Sequence, residues 1–328
     1  MINKVDFNKI LLIIGIIFIL TFCITVAVDY MSYNTYNNSA PFYTYVLVRA
    51  IQFLILGLLL IYLYSQNTYL KQTVYNIEVN NVVDVKGYKI AQISDFHNTN
   101  SARLKNDIIS ALKSNKPDII VITGDLIDSR RTNVETAKEF LEKLTAITTT
   151  YYVLGNHESR KTNIQEMLTM FSNTGVKILR DEKVKLQEKL ELIGLDDINF
   201  SISEREQKNL ANPQITLKKT LKQNLENIHY KNDAYTILIT HRPEFLSTYA
   251  KCNIDLALTG HAHGGQIRLP GIGSLYSPGQ GFFPKCTNGV HTENETKMVI
   301  CRGIGNSKFP FRFNNRPEIV FVNLVWYL

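Results

Sequence analysis

Five short apolar runs, each closed by a cluster of glycine, aspartate or histidine, constrain this chain more than any other feature. YKIAQIS stops at Asp95, PDIIVIT at Gly124, TTYYVL at Gly155, AYTILIT at His241 and IDLALT at Gly260. Each run is rich in β-branched and aromatic residues and too short for a helix, which predicts a strand. Between them, residues 102–113 and 134–144 space their apolar side chains three and four apart, which predicts helices. The polar region 199–232 adds a surface helix with its preceding loop. Strands that alternate with helices bury their faces as an α/β fold, expected here over residues 75–328.

The chain ahead of that domain has a different character. Residues 10–28 carry no charge and are long enough to cross about 30 Å of hydrocarbon as a helix. The run exceeds a signal-peptide core, and no small-residue cleavage site follows it. Residues 45–64 form a second apolar stretch interrupted only by Arg49, whose stem can carry its charge to the interface. Residues 1–74 are therefore expected to be a membrane anchor of two transmembrane helices. Lys4 and Lys9 favour a cytoplasmic N-terminus, and two crossings return the domain to the cytoplasm. With a single crossing it lies outside.

Composition excludes some classes. Of 328 residues, 45% are hydrophobic and 20% charged, enough apolar material to exclude wholesale disorder. The net charge of +7 suits anionic partners or a solvated lysine-rich surface. No basic stripe interleaved with aromatics stands out, so no nucleic-acid partner is expected. The four cysteines show no C-x-x-C spacing, and thiolate metal chemistry is not expected.

The clusters at the strand ends carry the chemistry: Asp95 and His97; Gly124, Asp125 and Asp128; Gly155, Asn156, His157 and Glu158; His241; and Gly260, His261 and His263. Five of the seven histidines fall in these places. In open α/β sheets ligands sit beyond the carboxyl ends of strands, so clusters distant in sequence can meet at one site. His241 alone would read as a core histidine; the ordered set changes that reading. Aspartate, asparagine and histidine supply oxygen and nitrogen donors that suit manganese, iron or zinc. Arg130, Arg131 and Arg160 follow two of the motifs closely. Their guanidinium forks either grip a substrate phosphate or are solvated loop residues. Gln266, Arg268 and Arg302 are further pocket candidates.

The order D-x-H, G-D-x-x-D, G-N-H-E, H, G-H-x-H resembles the calcineurin-like metallophosphoesterase superfamily. GHAHGGQIRLP, CRGIGNSKFPFRF and the apolar N-terminus resemble its YkuE/YaeI-like, membrane-anchored bacterial branch, over residues 85–325. The resemblance implies a sandwich of two mixed sheets flanked by helices and two divalent metal ions. One would be held by Asp95, His97, Asp125 and His263, the other by Asp125, Asn156, His241 and His261. His157 would act as proton donor or phosphate stabiliser, oriented by Glu158, with Arg160 and Arg302 as substrate-binding candidates. Asp128 is expected to hold a loop. The implied activity is hydrolysis of a phosphate ester or anhydride by metal-bound hydroxide, at a bacterial plasma membrane and on a substrate that is lipid-linked or membrane-proximal. GNHESR and GDLIDSR also resemble protein serine/threonine phosphatases, but Ser94-Asp95-Phe96-His97-Asn98 departs from the G-D-x-H-G that opens those enzymes. A non-catalytic tethered binding protein of the same fold is the remaining alternative, and every ligand position being filled argues against it.

Overall fold

The computed structural model describes residues 15, 18–27, 29, 31, 42–79, 85, 87–230, 233–306, 309 and 311–326. Helix α1 (Phe42–Thr68) is followed after two residues by β1 (Lys71–Glu78). The rest of the first sheet comes from β2 (Lys89–Ile93), β3 (Ile119–Thr123), β4 (Thr150–Val153) and β5 (Lys177–Ile178). The second sheet begins with β6 (Glu182–Gln187), β7 (Leu190–Gly194), β8 (Tyr235–Ile239) and β9 (Leu256–Thr259). Two small hairpins follow, β10 (Arg268–Leu269) with β11 (Gly273–Ser274) and β12 (Tyr276–Ser277) with β13 (Gly281–Phe282). Strands β14 (Gly289–Glu293) and β15 (Thr296–Ile300) complete the second sheet, and β16 (Glu318–Val325) returns to the first.

The two six-stranded sheets run β1-β16-β2-β3-β4-β5 and β14-β15-β9-β8-β7-β6. Both are mixed: β16 is antiparallel to β2, and β14 and β6 are antiparallel to their neighbours, while the remaining pairs are parallel. Alternate residues of one strand serve two cores, as the period of two requires. Ile119 and Val121 face inward to meet Leu192, Ile237, Leu256 and Val299 of the other sheet. Ile120 and Ile122 face outward onto the helices α2 (Ala102–Asn115) and α3 (Val134–Thr145). Burial on both faces explains why these strands read as continuous apolar runs. The second sheet is covered on its outer face by α7 (Pro213–Asn227) and α8 (Leu246–Lys251), which follow the short helices α4 (Asn156–Ser159), α5 (Ile164–Ser172) and α6 (Glu204–Gln207).

Helix α2 illustrates the local logic. Ser101 accepts the Leu104 amide as N-cap, Leu104, Ile108, Ala111 and Leu112 form one buried stripe, and Lys116 ends the helix in a left-handed conformation. The sequence-predicted starts of α2 and α3 coincide with the observed ones.

One expectation needs revision. The domain begins at Lys71 rather than 75, because β1 is a full strand of the first sheet, paired from Lys71 with Glu318. Among the described residues one helix, through Leu47–Thr68, is long and apolar enough to cross a membrane. Of the first expected span, the described part is a shorter apolar helix, Phe18–Ala27, and residues 10–14, 16, 17 and 28 lie outside the described residues.

Register fixes where α1 enters. β1 is parallel to β16, and β16 is antiparallel to β2, so the start of β1 lies at the end of the sandwich where β2 and its parallel neighbours stop. The strand ends that carry the polar clusters thus face the end from which α1 departs.

Candidate metal centre

All seven residues expected as ligands converge at that end, each buried. His97 Nε2 stands 3.1 Å from His263 Nε2, and His263 Nε2 stands 3.2 Å from Asp95 Oδ1. On the other side, His241 Nε2 lies 3.1 Å from His261 Nδ1 and 3.1 Å from Asn156 Oδ1. Asp125 joins the two groups: its Oδ2 is 3.2 Å from His241 Nε2 and 3.8 Å from His97 Nε2.

The local backbone is shaped for this. Asp95, His97, Asp125, His261 and His263 all have φ between 47° and 64°, a conformation that L residues adopt at a cost and that tends to cluster at functional sites. Close approach demands glycine at Gly124, where a Cβ would meet His241 Nδ1 at 2.5 Å, and at Gly303, where it would meet Asp95 Cβ at 2.6 Å. The second of these comes from the distant CRGIG segment.

The donors fit divalent cations. Asp95 Oδ1 is buried with no hydrogen-bond partner among the described residues, an arrangement that costs free energy unless a cation satisfies it. Burial holds His97 down to about 3 and holds His261 and His263 well below their ordinary value, so all three imidazoles are neutral and free to ligate. With their protons on Nδ1, the two neutral rings would turn both Nε2 lone pairs, 3.1 Å apart, toward one cation. His241 Nδ1 donates to the Thr123 carbonyl at 2.8 Å, which turns Nε2 toward the cluster, where it carries a proton to Asp125 that a bound cation would displace. Although burial opposes charge on this ring, Asp125 pushes it up to about 10. Asp95 Oδ2 accepts the His261 amide at 3.0 Å and Asp125 Oδ1 accepts the His157 amide at 2.8 Å, so both carboxylates keep their other oxygen for the cluster.

His157 lies beside the shared carboxylate, its Nε2 3.9 Å from Asp125 Oδ2. Its Nδ1 has three polar neighbours, the donating Ser129 amide at 3.0 Å, the Ser129 hydroxyl at 3.2 Å and the Asp128 carboxylate at 3.3 Å. A neutral ring accepts from Ser129, and a charged ring donates to Asp128. Nε2 carries a proton toward the cluster in both states. Burial works against charge here, but Asp125 and the Asp128 hydrogen bond outweigh it and hold the ring above its ordinary pKa.

Glu158 does something other than expected. Its carboxylate accepts the amides of Asp125, Ile127 and Gly155 at 3.0, 3.0 and 2.8 Å, so it orients the backbone of two motif loops rather than the His157 ring. Asp128 is the ring's carboxylate neighbour, while also gripping Arg130. The repeated aspartate of G-D-x-x-D is the sequence signal for this contact.

The two candidate arginines part company. Arg160 pairs with Glu204 at the exposed rim, close enough to His157 to lower its pKa. Arg302 lies 3.7 Å from the buried Glu318 and acts on Tyr75. Arg268 and Gln266 are structural: Arg268 binds the Gly264 carbonyl, Ser274 and Thr287, and Gln266 binds the Phe309 carbonyl.

The chain is similar to several known proteins. A family model described as calcineurin-like phosphoesterase matches residues 88–265, which include all seven candidate ligands. The uncharacterized metallophosphoesterase YkuE of Bacillus subtilis is 29% identical over 246 residues, covering 73% of this chain and 79% of that protein. A bovine (Bos taurus) transmembrane protein with metallophosphoesterase domain is 29% identical over 246 residues, covering 70% of this chain and 51% of its own. Among solved structures, a dimetal phosphatase from Danio rerio aligns over 73% of this chain and 99% of its own, with 12% identity and a TM-score of 0.47.

Proposed function

This chain belongs to the calcineurin-like phosphoesterase family and is a metal-dependent phosphoesterase, and on that premise we propose that it hydrolyses a phosphate ester or anhydride of a membrane-proximal substrate at a two-metal centre. Asp95, His97, Asp125 and His263 would hold one cation, and Asp125, Asn156, His241 and His261 the other. Two such cations supply an activated water near neutral pH and charge that stabilises the phosphoryl oxygens. The observation that carries the reading is the Asp125 carboxylate, one oxygen of which faces both His241 and His97.

The chain's own groups account for the rest. His157 presents Nε2–H to the space beside Asp125, where it hydrogen-bonds a phosphoryl oxygen or gives its proton to the departing oxygen. Glu158 keeps the Asp125 and Gly155 loops in register, so the shared ligand and the proton donor move together. Arg160, on the rim, is the candidate phosphate grip, for which it must leave Glu204.

A substrate phosphate carried by a lipid is supported by position: the cluster sits at the end of the sandwich that α1 enters, and α1 is long and apolar enough to span a bilayer. A soluble phosphoester is the second reading.

The test is to assay the purified full chain on bis-p-nitrophenyl phosphate, p-nitrophenyl phosphate and lipid phosphates, each with manganese, zinc or a chelator. Turnover should require a divalent metal and disappear in Asp125→Ala and Asn156→Ala. Metal-dependent turnover that survives both substitutions sinks the site assignment.

A further inference from the structure

The segment after His263 exposes large apolar side chains. Ile272 is 63% exposed, Phe282 72%, Phe283 62% and Phe309 39%. These residues are mounted on a hydrogen-bonded scaffold. Phe313 N donates to the Gln266 carbonyl and Arg268 N to that of Phe313; next to them Leu275 N donates to the Ile267 carbonyl and Phe283 N to that of Leu275. Four backbone segments thus lie side by side in the order 313, 267, 275, 283. At about 4.8 Å per step they carry Phe283 roughly 15 Å sideways from Phe313.

The near edge of this strip touches the membrane-entering helix. The Tyr62 ring of α1 packs edge-on against Phe313 at 5.4 Å between centroids. Around it, Asn67 Oδ1 accepts the Arg312 amide and the Asn306 side chain, and Gln66 Oε1 accepts the Asn315 amide. Exposed aromatics next to the last turns of an apolar helix stand near the level where a bilayer interface would favour aromatic side chains. Lys285 and Arg316, both exposed, add positive charge beside it. Exposed apolar side chains grouped in this way mark an interaction surface.

We propose that the two hairpins and the Phe309 segment form a bilayer-resting platform, with Ile272, Phe282 and Phe283 entering the lipid interface and holding the metal centre at headgroup level. The lipid bilayer is the occupant favoured over a second copy of the chain because the strip is continuous with α1. The platform is coupled to the centre: Arg268 and Ser274, which brace the hairpins, both donate to the carbonyl of Gly264, next to His263. Applied to the phosphoesterase reading, on which this part rests, the substrate class is a membrane amphiphile whose phosphate lies in the headgroup layer.

The chain contains a single tryptophan, Trp326, so Trp326→Phe gives a dark background. In that background Phe282→Trp reports on the platform, and Lys189→Trp reports on the opposite end of the sandwich, where β7 begins. The full-length variants are reconstituted in vesicles of phosphatidylcholine and phosphatidylglycerol, with and without brominated acyl chains. Brominated lipid should quench the Phe282→Trp emission by about half or more and leave that of Lys189→Trp unchanged. Equal quenching at both positions, or a Phe282→Trp signal quenched only by aqueous iodide, overturns the proposal. So does shielding that depends on protein density and not on lipid, which would mark a contact between copies. In a second measurement, the triple substitution Ile272→Ser, Phe282→Ser and Phe283→Ser should lower turnover of a vesicle-embedded lipid phosphate about tenfold and leave bis-p-nitrophenyl phosphate turnover unchanged. An equal fall on both substrates removes the docking role. Lipid quenching needs no turnover, so a chain that hydrolyses nothing defeats the phosphoesterase reading and leaves the docking result standing.

Discussion

The side-chain amide of Asn315 donates to the backbone carbonyl of His263 over 2.8 Å. The backbone amide of the same residue donates to Gln66 Oε1 of α1 over 2.9 Å, so one buried asparagine joins the last turn of the apolar helix to a loop of the metal centre. The loop cannot drift from the helix without breaking one of these bonds.

Asn315→Ala should therefore loosen His263 without unfolding the sandwich. Groups standing behind a metal ligand typically contribute roughly 10- to 100-fold in metal affinity. Titration against a competing chelator should show a loss in that range, with an unchanged circular dichroism spectrum. Unaltered affinity would restrict Asn315 to anchoring the helix.

His157→Gln should lower kcat by about 10²- to 10⁴-fold, the usual contribution of a positioned proton donor, while metal content stays near wild type. The loss should be larger for an alkyl phosphate than for a p-nitrophenyl ester, whose leaving group needs no proton. Equal losses on both would assign His157 to binding the phosphoryl oxygens instead.

Chelation should destabilise as well as inactivate. A cation that binds only the folded chain stabilises it by about 2.7 kcal/mol at a hundredfold excess over its dissociation constant. The unfolding midpoint should fall on adding chelator and recover on adding metal. In Asp95→Asn, which removes the carboxylate whose Oδ1 lacks a partner, the shift should shrink.

Asp196 predicts a pH dependence of stability outside the metal centre. Burial pushes its carboxyl up to about 7, although Arg180 lies 2.7 Å from Oδ2, because Oδ1 is buried without a donor among the described residues. Between about pH 4 and 7 the folded chain then holds a proton that the unfolded chain releases. Stability from this group is lost as pH rises through that window. Asp196→Asn should unfold at a progressively higher temperature than wild type from pH 5 to 8, by about 2–4 °C for each kcal/mol. A constant difference across that range would mean that Arg180 keeps Asp196 ionised throughout.

Much of the centre was legible because its signals are local. A glycine that lets a strand exit sharply and a donor one residue later are adjacent in sequence, as at Gly124-Asp125 and Gly260-His261, and the apolar runs before them announce the strands. The partner of His157 was not legible. The Glu158 and Asp128 carboxylates are both near it in motif space, and only side-chain direction sends one to backbone amides and the other to the ring. No local motif announces that Arg302 stands beside Glu318, 16 residues further along the chain.

By itself the sequence determined the strand-and-helix alternation and the donor set, and it offered two apolar stretches, 10–28 and 45–64, because hydrophobic period and residue chemistry are written residue by residue. Tertiary structure decided that β1 pairs with β16 from Lys71, across nearly the whole chain, and through that register that the metal centre opens on the end where α1 enters. It also decided that Ile272, Phe282 and Phe283 stay outside the core, since no short-range pattern distinguishes an apolar residue that packs inward from one mounted on the rim of a hairpin.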